Sequence, residues 1–270
     1  DIGNPKVDEL LIRNTAIGVN YHDVYVRSGL YKTLKLPGIP GCEAAGIVEQ
    51  IGHSMSDFKV GDRVTFITSD YGAYSSHINI NKEFSVAMDC GNAAACLVAP
   101  ELFNQLGVAV DKLYCDVDPL FPNHHPDPTI DSNLSDIINK VKNNHNDLGV
   151  AFDGDADRLV VVDERGRIIR SDILLAVFVL FIVGENDNVV YDVKCSNALK
   201  EIIERKKGVP IMWKTGHSLI KNKMFETKSK IGGEMSGHIF FADKYFGYDD
   251  AIYVALRLIE ILSNRNIKLS

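Results

Sequence analysis

The run Asp153-Gly154-Asp155-Ala156-Asp157-Arg158 sits between two apolar segments, Leu148-Gly149-Val150-Ala151-Phe152 and Leu159-Val160-Val161-Val162. Short continuous apolar runs of this kind predict buried strands. The acidic run between them must then be a tight loop. Alternate side chains of an extended segment share a side, so Asp153, Asp155 and Asp157 can bring three hard oxygen donors to one point. Mg²⁺ takes such ligands and keeps further positions for water or phosphate oxygens. An acidic turn that binds nothing is the bland alternative, but such turns rarely alternate with Gly and Ala between two buried strands. An EF-hand is the sharper one, because Glu164 is at the twelfth position counted from Asp153. That loop needs Gly at its sixth position, which is Arg158 here, and residues 159–162 read as strand.

After residue 83 the pattern is α/β. Residues 85–88 predict a strand ending in a Gly turn, and 93–106 a helix stopped by Gly107. A strand over 110–115 leads into a loop over 116–128 rich in Asp, Pro and His. Residues 134–143 place Leu134, Ile137, Ile138 and Val141 on one helix face. Further strands are expected at 189–193, 209–213 and 239–241, with helices at 198–207 and 250–262. The longest apolar run, 173–183, is shorter than the ~20 residues a membrane span needs, so it predicts a buried helix. Strand-loop-helix alternation implies mostly parallel sheets with functional loops at strand ends.

Composition narrows the function classes. With 46% apolar and 24% charged residues, the 270-residue chain reads as an ordinary globular protein large enough for two or three domains. Its net charge of −7 gives nucleic acid no electrostatic support. Arg205-Lys206-Lys207 reads as a solvated turn after a helix. The five cysteines, Cys42, Cys90, Cys96, Cys115 and Cys195, form no C-x-x-C, which favours reduced thiols and a cytoplasmic setting. No signal peptide and no membrane segment is expected.

The acidic loop resembles the metal loop of the phosphomannomutase/phosphoglucomutase family, the α-D-phosphohexomutases. Five further stretches agree in order: Met88-Asp89-Cys90-Gly91-Asn92, Phe121-Pro122-Asn123-His124-His125-Pro126-Asp127-Pro128, Asp192-Val193-Lys194-Cys195-Ser196, Thr215-Gly216-His217-Ser218-Leu219-Ile220-Lys221 and Gly233-Glu234-Met235-Ser236-Gly237-His238. Ala156 stands where the family more often has Gly. The resemblance implies Mg²⁺ held by Asp153, Asp155 and Asp157, and a phosphate contact from Arg158, whose alternative is a structural salt bridge with the neighbouring aspartates. It implies sugar recognition by Glu234, Ser236 and His238, with Lys194 and His217 near the phosphate and ring of a mannose or glucose 1- or 6-phosphate. A carboxylate such as Glu234 can accept from two vicinal hydroxyls. His124 and His125 are expected to shape their loop, with no third metal ligand beside them.

Residues 9–80 resemble something else. Asn20-Tyr21-His22-Asp23-Val24-Tyr25, Gly41-Cys42-Glu43-Ala44-Ala45-Gly46-Ile47-Val48 and Val60-Gly61-Asp62-Arg63-Val64 are similar to the GroES-like half of a zinc-free quinone oxidoreductase. Close Gly, Pro and Asp punctuation independently predicts a β-rich segment. The resemblance places Asn20 and Tyr25 at NADPH-contacting positions, yet no G-x-G-x-x-G dinucleotide loop follows. Cys42 is expected to be a small buried residue, since no His/Cys set with zinc-ligand spacing accompanies it.

The expected architecture is multidomain: a β-rich GroES-like fragment (1–82), then phosphohexomutase-type α/β domains two (83–168, with the metal loop) and three (169–270, with the sugar loop). The family's catalytic phosphoserine belongs to its first domain and its phosphate grip to its fourth. No catalytic serine is therefore expected here, and Ser76 in Tyr74-Ser75-Ser76-His77-Ile78-Asn79 fits the reductase pattern better. The implied activity is Mg²⁺-dependent phosphoryl transfer between hexose C1 and C6, with a complementing chain as the partner that supplies the missing domains. The alternatives are a non-catalytic metal- and phosphosugar-binding fusion product and an NADPH quinone oxidoreductase fragment.

Overall fold

The computed structural model describes residues 3–6, 9–52, 55, 58–68, 71–81, 84–265 and 267–270. Two compact units divide the chain, residues 1–82 and 83–270. The expected junction at Lys82 and Glu83 lies outside the described residues.

The first unit is an antiparallel sheet. β1 (Glu9–Ile17) pairs with β2 (Glu43–Ile51) and with β4 (His77–Asn81), and β3 (Arg63–Ile67) pairs with β2, giving the order β3-β2-β1-β4. Leu10, Ile12, Val48 and Met55 form its small core. A short helix, α1 (Tyr21–Arg27), follows β1, and the Asp23 carboxylate accepts both the Asn20 N–H and the Tyr74 hydroxyl. Cys42 is only half-buried, not buried as expected, because it immediately precedes β2 where the chain enters the sheet.

The second unit carries two mixed sheets. β5 (Ser85–Asp89) pairs parallel with β6 (Ala109–Leu113) and β7 (Leu148–Phe152); β8 (Leu159–Asp163) and β9 (Ile168–Ile169) continue antiparallel, in the order β6-β5-β7-β8-β9. The other sheet, β11-β10-β12-β13, has β10 (Asn188–Asp192) parallel to β11 (Val209–Trp213) and β12 (Ile231–Gly233), with β13 (Ile239–Phe241) antiparallel. Four of the seven pairings in this unit are parallel, so the expected parallel majority holds while both sheets are mixed. A parallel neighbour needs a crossover of about a dozen residues or more, and the connections 153–158 and 234–238 are far shorter, so each can only turn a hairpin.

Helices cover both faces. α2 (Ala99–Gln105), α4 (Ser171–Ile182) and α7 (Ala251–Arg265) contribute to one continuous core with Val86, Met88, Val150, Leu159, Val189, Ile231 and Phe241. α3 (Ser135–Asn144) packs Ile137 and Val141 on the opposite face of the first sheet, against Ala151 and Val162. α6 (His217–Thr227) sets Ile220 and Met224 against Val190 and Phe240, while α5 (Asn197–Arg205) buries Leu199 and Ile203. Because one core spans both sheets, their loops are held in a fixed relation. The expected division at 168/169 falls inside β9.

Two element boundaries also differ from expectation. The helix expected over 93–106 is a 3₁₀ turn (Ala94–Leu97) followed by α2, with Pro100 in the first turn of α2. Proline's ring would clash with a preceding helical turn, so Pro100 restarts the helix instead of continuing it. The strand expected to reach 115 stops at Leu113, because Tyr114 adopts a left-handed conformation (φ 52°). Among the described residues no helix is long and apolar enough to cross a membrane.

Phe178 of α4 is fully buried and meets Phe241 of β13 edge-to-face, with ring centroids 4.9 Å apart. Phe178→Ala is expected to cost about 3–5 kcal/mol, measured as a lowered urea midpoint. An unchanged midpoint would mean that the shared core is not what holds the second unit together.

Candidate functional site

The site is assembled from the two hairpin loops. β7 and β8 are buried along their whole length and pair Phe152 with Leu159, which leaves 153–158 as the connection. Asp153 is fully buried at its start. One of its oxygens accepts the N–H groups of Asp157 (3.0 Å) and Arg158 (3.1 Å), and the other accepts Arg158 Nε at 2.6 Å. Ala156 closes the turn with φ 62°, its N–H donating to Asp153 O. A left-handed residue costs least as Gly, which gives a physical reason for Gly at this position in related loops.

Asp153, Asp155 and Asp157 each offer a carboxylate oxygen within 4.8 Å of the others. Asp153 is buried, Asp157 half-buried and Asp155 exposed. Burial, joined by the charges of Asp153 and Asp155, pushes the Asp157 carboxyl up to about 6 against the pull of His238. This all-oxygen donor set, open on the Asp155 side, fits a hard divalent cation. Asp127 of the Pro- and His-rich loop also reaches Arg158, at 3.7 Å. Burial opposes the charge on Arg158, but Asp153, Asp127 and Asp157 together raise its pKa.

The second loop docks on the first. Leu159 N–H donates to Gly237 O, and Ala251 N–H at the start of α7 donates to Ala156 O. His238 spans the two loops: its Nδ1 lies 2.9 Å from Glu234 and 3.1 Å from Ser236 Oγ, and its Nε2 lies 3.2 Å from Asp157. Burial works against a charged His238, but Glu234 and Asp157 outweigh it and raise its pKa. Glu234 is buried and its two oxygens are already engaged, one by the Gly216 N–H and one by His238. Burial would raise its carboxyl, yet these partners hold it below the usual range.

His217 caps this group. It opens α6, stacks on His238 with centroids 5.6 Å apart, and lies 3.0 Å from Asp249, which also accepts from Lys221. Lys194 is exposed on the turn after β10. The fully buried Asp192 ties this neighbourhood together, accepting from Thr215 Oγ1, Cys195 Sγ and Met235 N–H. His124 binds Asp89 at the end of β5, at 3.1 Å, and His125 supplies a carbonyl to Asn133, so both tie their loop to neighbouring segments. Asn20 and Tyr25 lie exposed in the first unit, Asn20 before α1 and Tyr25 edge-on to Tyr31. Ser76 is also in that unit, exposed, its carbonyl accepting the Asn14 N–H.

Sequence reasoning missed Asp127, Asp192 and Asp249 as members of this network. Asp127 and Asp192 stood inside quoted motifs without a role, and Asp249 had no motif, only the pair Asp249-Asp250 ahead of a helix.

Comparison with known proteins agrees with this architecture. Residues 65–166 match the phosphoglucomutase/phosphomannomutase alpha/beta/alpha domain II model and 170–270 match the domain III model. The second unit belongs to the phosphoglucomutase/phosphomannomutase family. Residues 6–105 match the alcohol dehydrogenase GroES-like domain, overlapping the domain II match across the boundary between the units. The chain is thus a GroES-like domain followed by two α/β phosphohexomutase domains. The phosphomannomutase/phosphoglucomutase of Pseudomonas aeruginosa is 52% identical over 188 residues, 69% of this chain and 41% of that protein. The phosphoglucomutase of Neisseria meningitidis serogroup A is 42% identical over 224 residues, 82% of this chain and 49% of its own. A crystal structure of a family member from Burkholderia thailandensis superposes with a TM-score of 0.66 at 44% identity, covering 68% of this chain and 40% of that one. The chain therefore spans less than half the length of these relatives.

Gly237 has φ 113°, and a Cβ there would lie 3.1 Å from Arg158 Cβ. Gly237→Ala should destabilise the chain by about 1–3 kcal/mol, read by urea denaturation. A variant as stable as the parent would show that the loop contact at Arg158 is not tightly packed.

Proposed function

We propose that the second unit supplies the metal-binding and sugar-reading half of a Mg²⁺-dependent phosphoglucomutase/phosphomannomutase. The observation that supports this reading best is the docking of the three-aspartate loop on the Glu234–His238 loop through Leu159 N–H, Gly237 O and His238. Asp153, Asp155 and Asp157 would hold Mg²⁺, which neutralises charge on a phosphoryl group when bound.

The chain's own residues do the rest. Arg158 has Nε committed to Asp153, which orients a planar guanidinium able to fork onto phosphate oxygens. Its salt bridge to Asp153 and its phosphate role are compatible, because the first aims the second. Glu234, Ser236 and His238 line the loop that would read sugar hydroxyls, with His217 stacked beside them and Lys194 exposed nearby to meet a phosphate of mannose or glucose 1- or 6-phosphate. Glu234 has both oxygens engaged, so hydroxyl recognition there uses second lone pairs or displaces a present donor. Phosphoryl transfer between C1 and C6 further requires a serine carrier, which the resemblance places in the family's first domain, and the family models matched here are those of domains II and III. Binding is therefore the property to measure on this chain, and turnover the property of this chain with a complementing one.

Calorimetric titration of Mg²⁺ with and without mannose 1-phosphate tests the reading. Asp155→Asn, an exposed ligand whose loss leaves the Asp153 hydrogen bonds intact, should weaken Mg²⁺ at least about tenfold, ~1.4 kcal/mol. A folded parent chain that binds neither ion nor sugar phosphate would overturn it.

A further inference from the structure

Cys90 and Cys115 meet at the C-terminal ends of two neighbouring strands. β5 and β6 pair Asp89 with Leu113, the Cys90 N–H continues the ladder to Leu113 O at 3.2 Å, and the Asn92 N–H follows to Tyr114 O at 2.8 Å. The ladder then breaks, because Tyr114 and Asn92 are both left-handed, with φ 52° and 57°. The break leaves the two Sγ atoms 3.3 Å apart. Closing the 3.3 Å between the sulfurs to the ~2.05 Å of a disulfide bond needs a shift of only about 1 Å. Neither thiol is used by the metal or sugar loops.

The two sulfurs differ in environment. Cys90 is fully buried, whereas Cys115 is half-buried. The contact between the two sulfurs holds Cys115 below its ordinary range, and the same contact with burial pushes Cys90 up. A partly exposed thiol with a lowered pKa beside a buried partner is the arrangement in which one cysteine reacts and the other resolves.

We propose that Cys90 and Cys115 are a modification site, a vicinal dithiol that a low-molecular-weight disulfide converts reversibly to an intramolecular disulfide. The Cys115 thiolate attacks one sulfur of the oxidant, forms a mixed disulfide and expels one thiolate, which takes up the proton Cys115 gave. Cys90 then loses its proton and attacks the Cys115 sulfur, expelling the second thiolate. Two protein thiols and one small disulfide become one protein disulfide and two small thiols, so the two electrons end on the small molecule. The site is close to the metal loop: Ala94, in the segment that follows Cys90, donates its N–H to Gly154 O.

The test uses the full chain under native conditions. It is treated with oxidised glutathione, alkylated and mapped by peptide mass spectrometry, with and without later reduction by dithiothreitol. The expected result is a cross-linked Cys90–Cys115 peptide pair that reduction removes, with Cys42, Cys96 and Cys195 alkylated throughout. Cys90→Ala should instead trap glutathione on Cys115, and Cys115→Ser should leave Cys90 a thiol. Cys96→Ser should not change the cross-link. A stable glutathione adduct on Cys115 in the parent chain, a cross-link to Cys96, or no oxidation of either thiol would each overturn the proposal. The parent-chain map decides even if Cys90→Ala fails to fold.

Discussion

The buried carboxylate of Asp153 is the constraint on which the site depends. A charge taken out of water is costly unless paired and hydrogen-bonded. Asp153 meets that cost with donors from its own loop: the N–H groups of Asp157 and Arg158, and Arg158 Nε. Those three bonds wrap the chain around the carboxylate and drive Ala156 into a left-handed conformation. They also return it to the sheet at Leu159, whose N–H meets Gly237 of the opposite loop. Asp155 and Asp157 point where they do because Asp153 has already set the turn.

The opposite loop is built by the same rule at a second address. Both sheets of the second unit contain an antiparallel hairpin, β7–β8 and β12–β13, and each hairpin delivers one loop of the candidate site. A single apolar core running through α4, with Phe178 against Phe241, fixes one hairpin relative to the other. His238 can therefore touch Glu234, Ser236 and Asp157 at once without moving an element. Precision in the site is inherited from packing between sheets, and the loops themselves are short enough to have little freedom.

Much of this was legible in the residues. The uninterrupted apolar runs at 148–152 and 159–162 gave their strands and the loop between them, since nothing else fits an acidic hexapeptide between buried segments. The hairpin was legible too, because a parallel partner cannot follow so short a connection, although strand-loop-helix alternation elsewhere pointed to parallel sheets. Asp249 was not legible: its tie to His217 and Lys221 depends on where α6 and α7 start, a tertiary fact without a local signal. Nor was the early end of β6, where Tyr114 accepts a conformation that its side chain disfavours. The left-handed Ala156 was visible only as a departure from the more usual Gly, and its cause lay in the Asp153 hydrogen bonds.

Under the proposed function, the electrostatics of the two loops would connect metal and sugar recognition. Three carboxylates within 4.8 Å repel one another, and burial with that repulsion moves Asp157 to about 6. A divalent cation held there would reverse the sign of this interaction, because it would be the largest local charge and would favour the ionised form of each carboxylate. Asp157 is also the residue that His238 touches, and His238 in turn holds Glu234. A change in charge on the metal loop is thus felt by the imidazole and then by the carboxylate that would read sugar hydroxyls. Two loops from different sheets respond as one unit because a single histidine carries a hydrogen-bonding nitrogen to each.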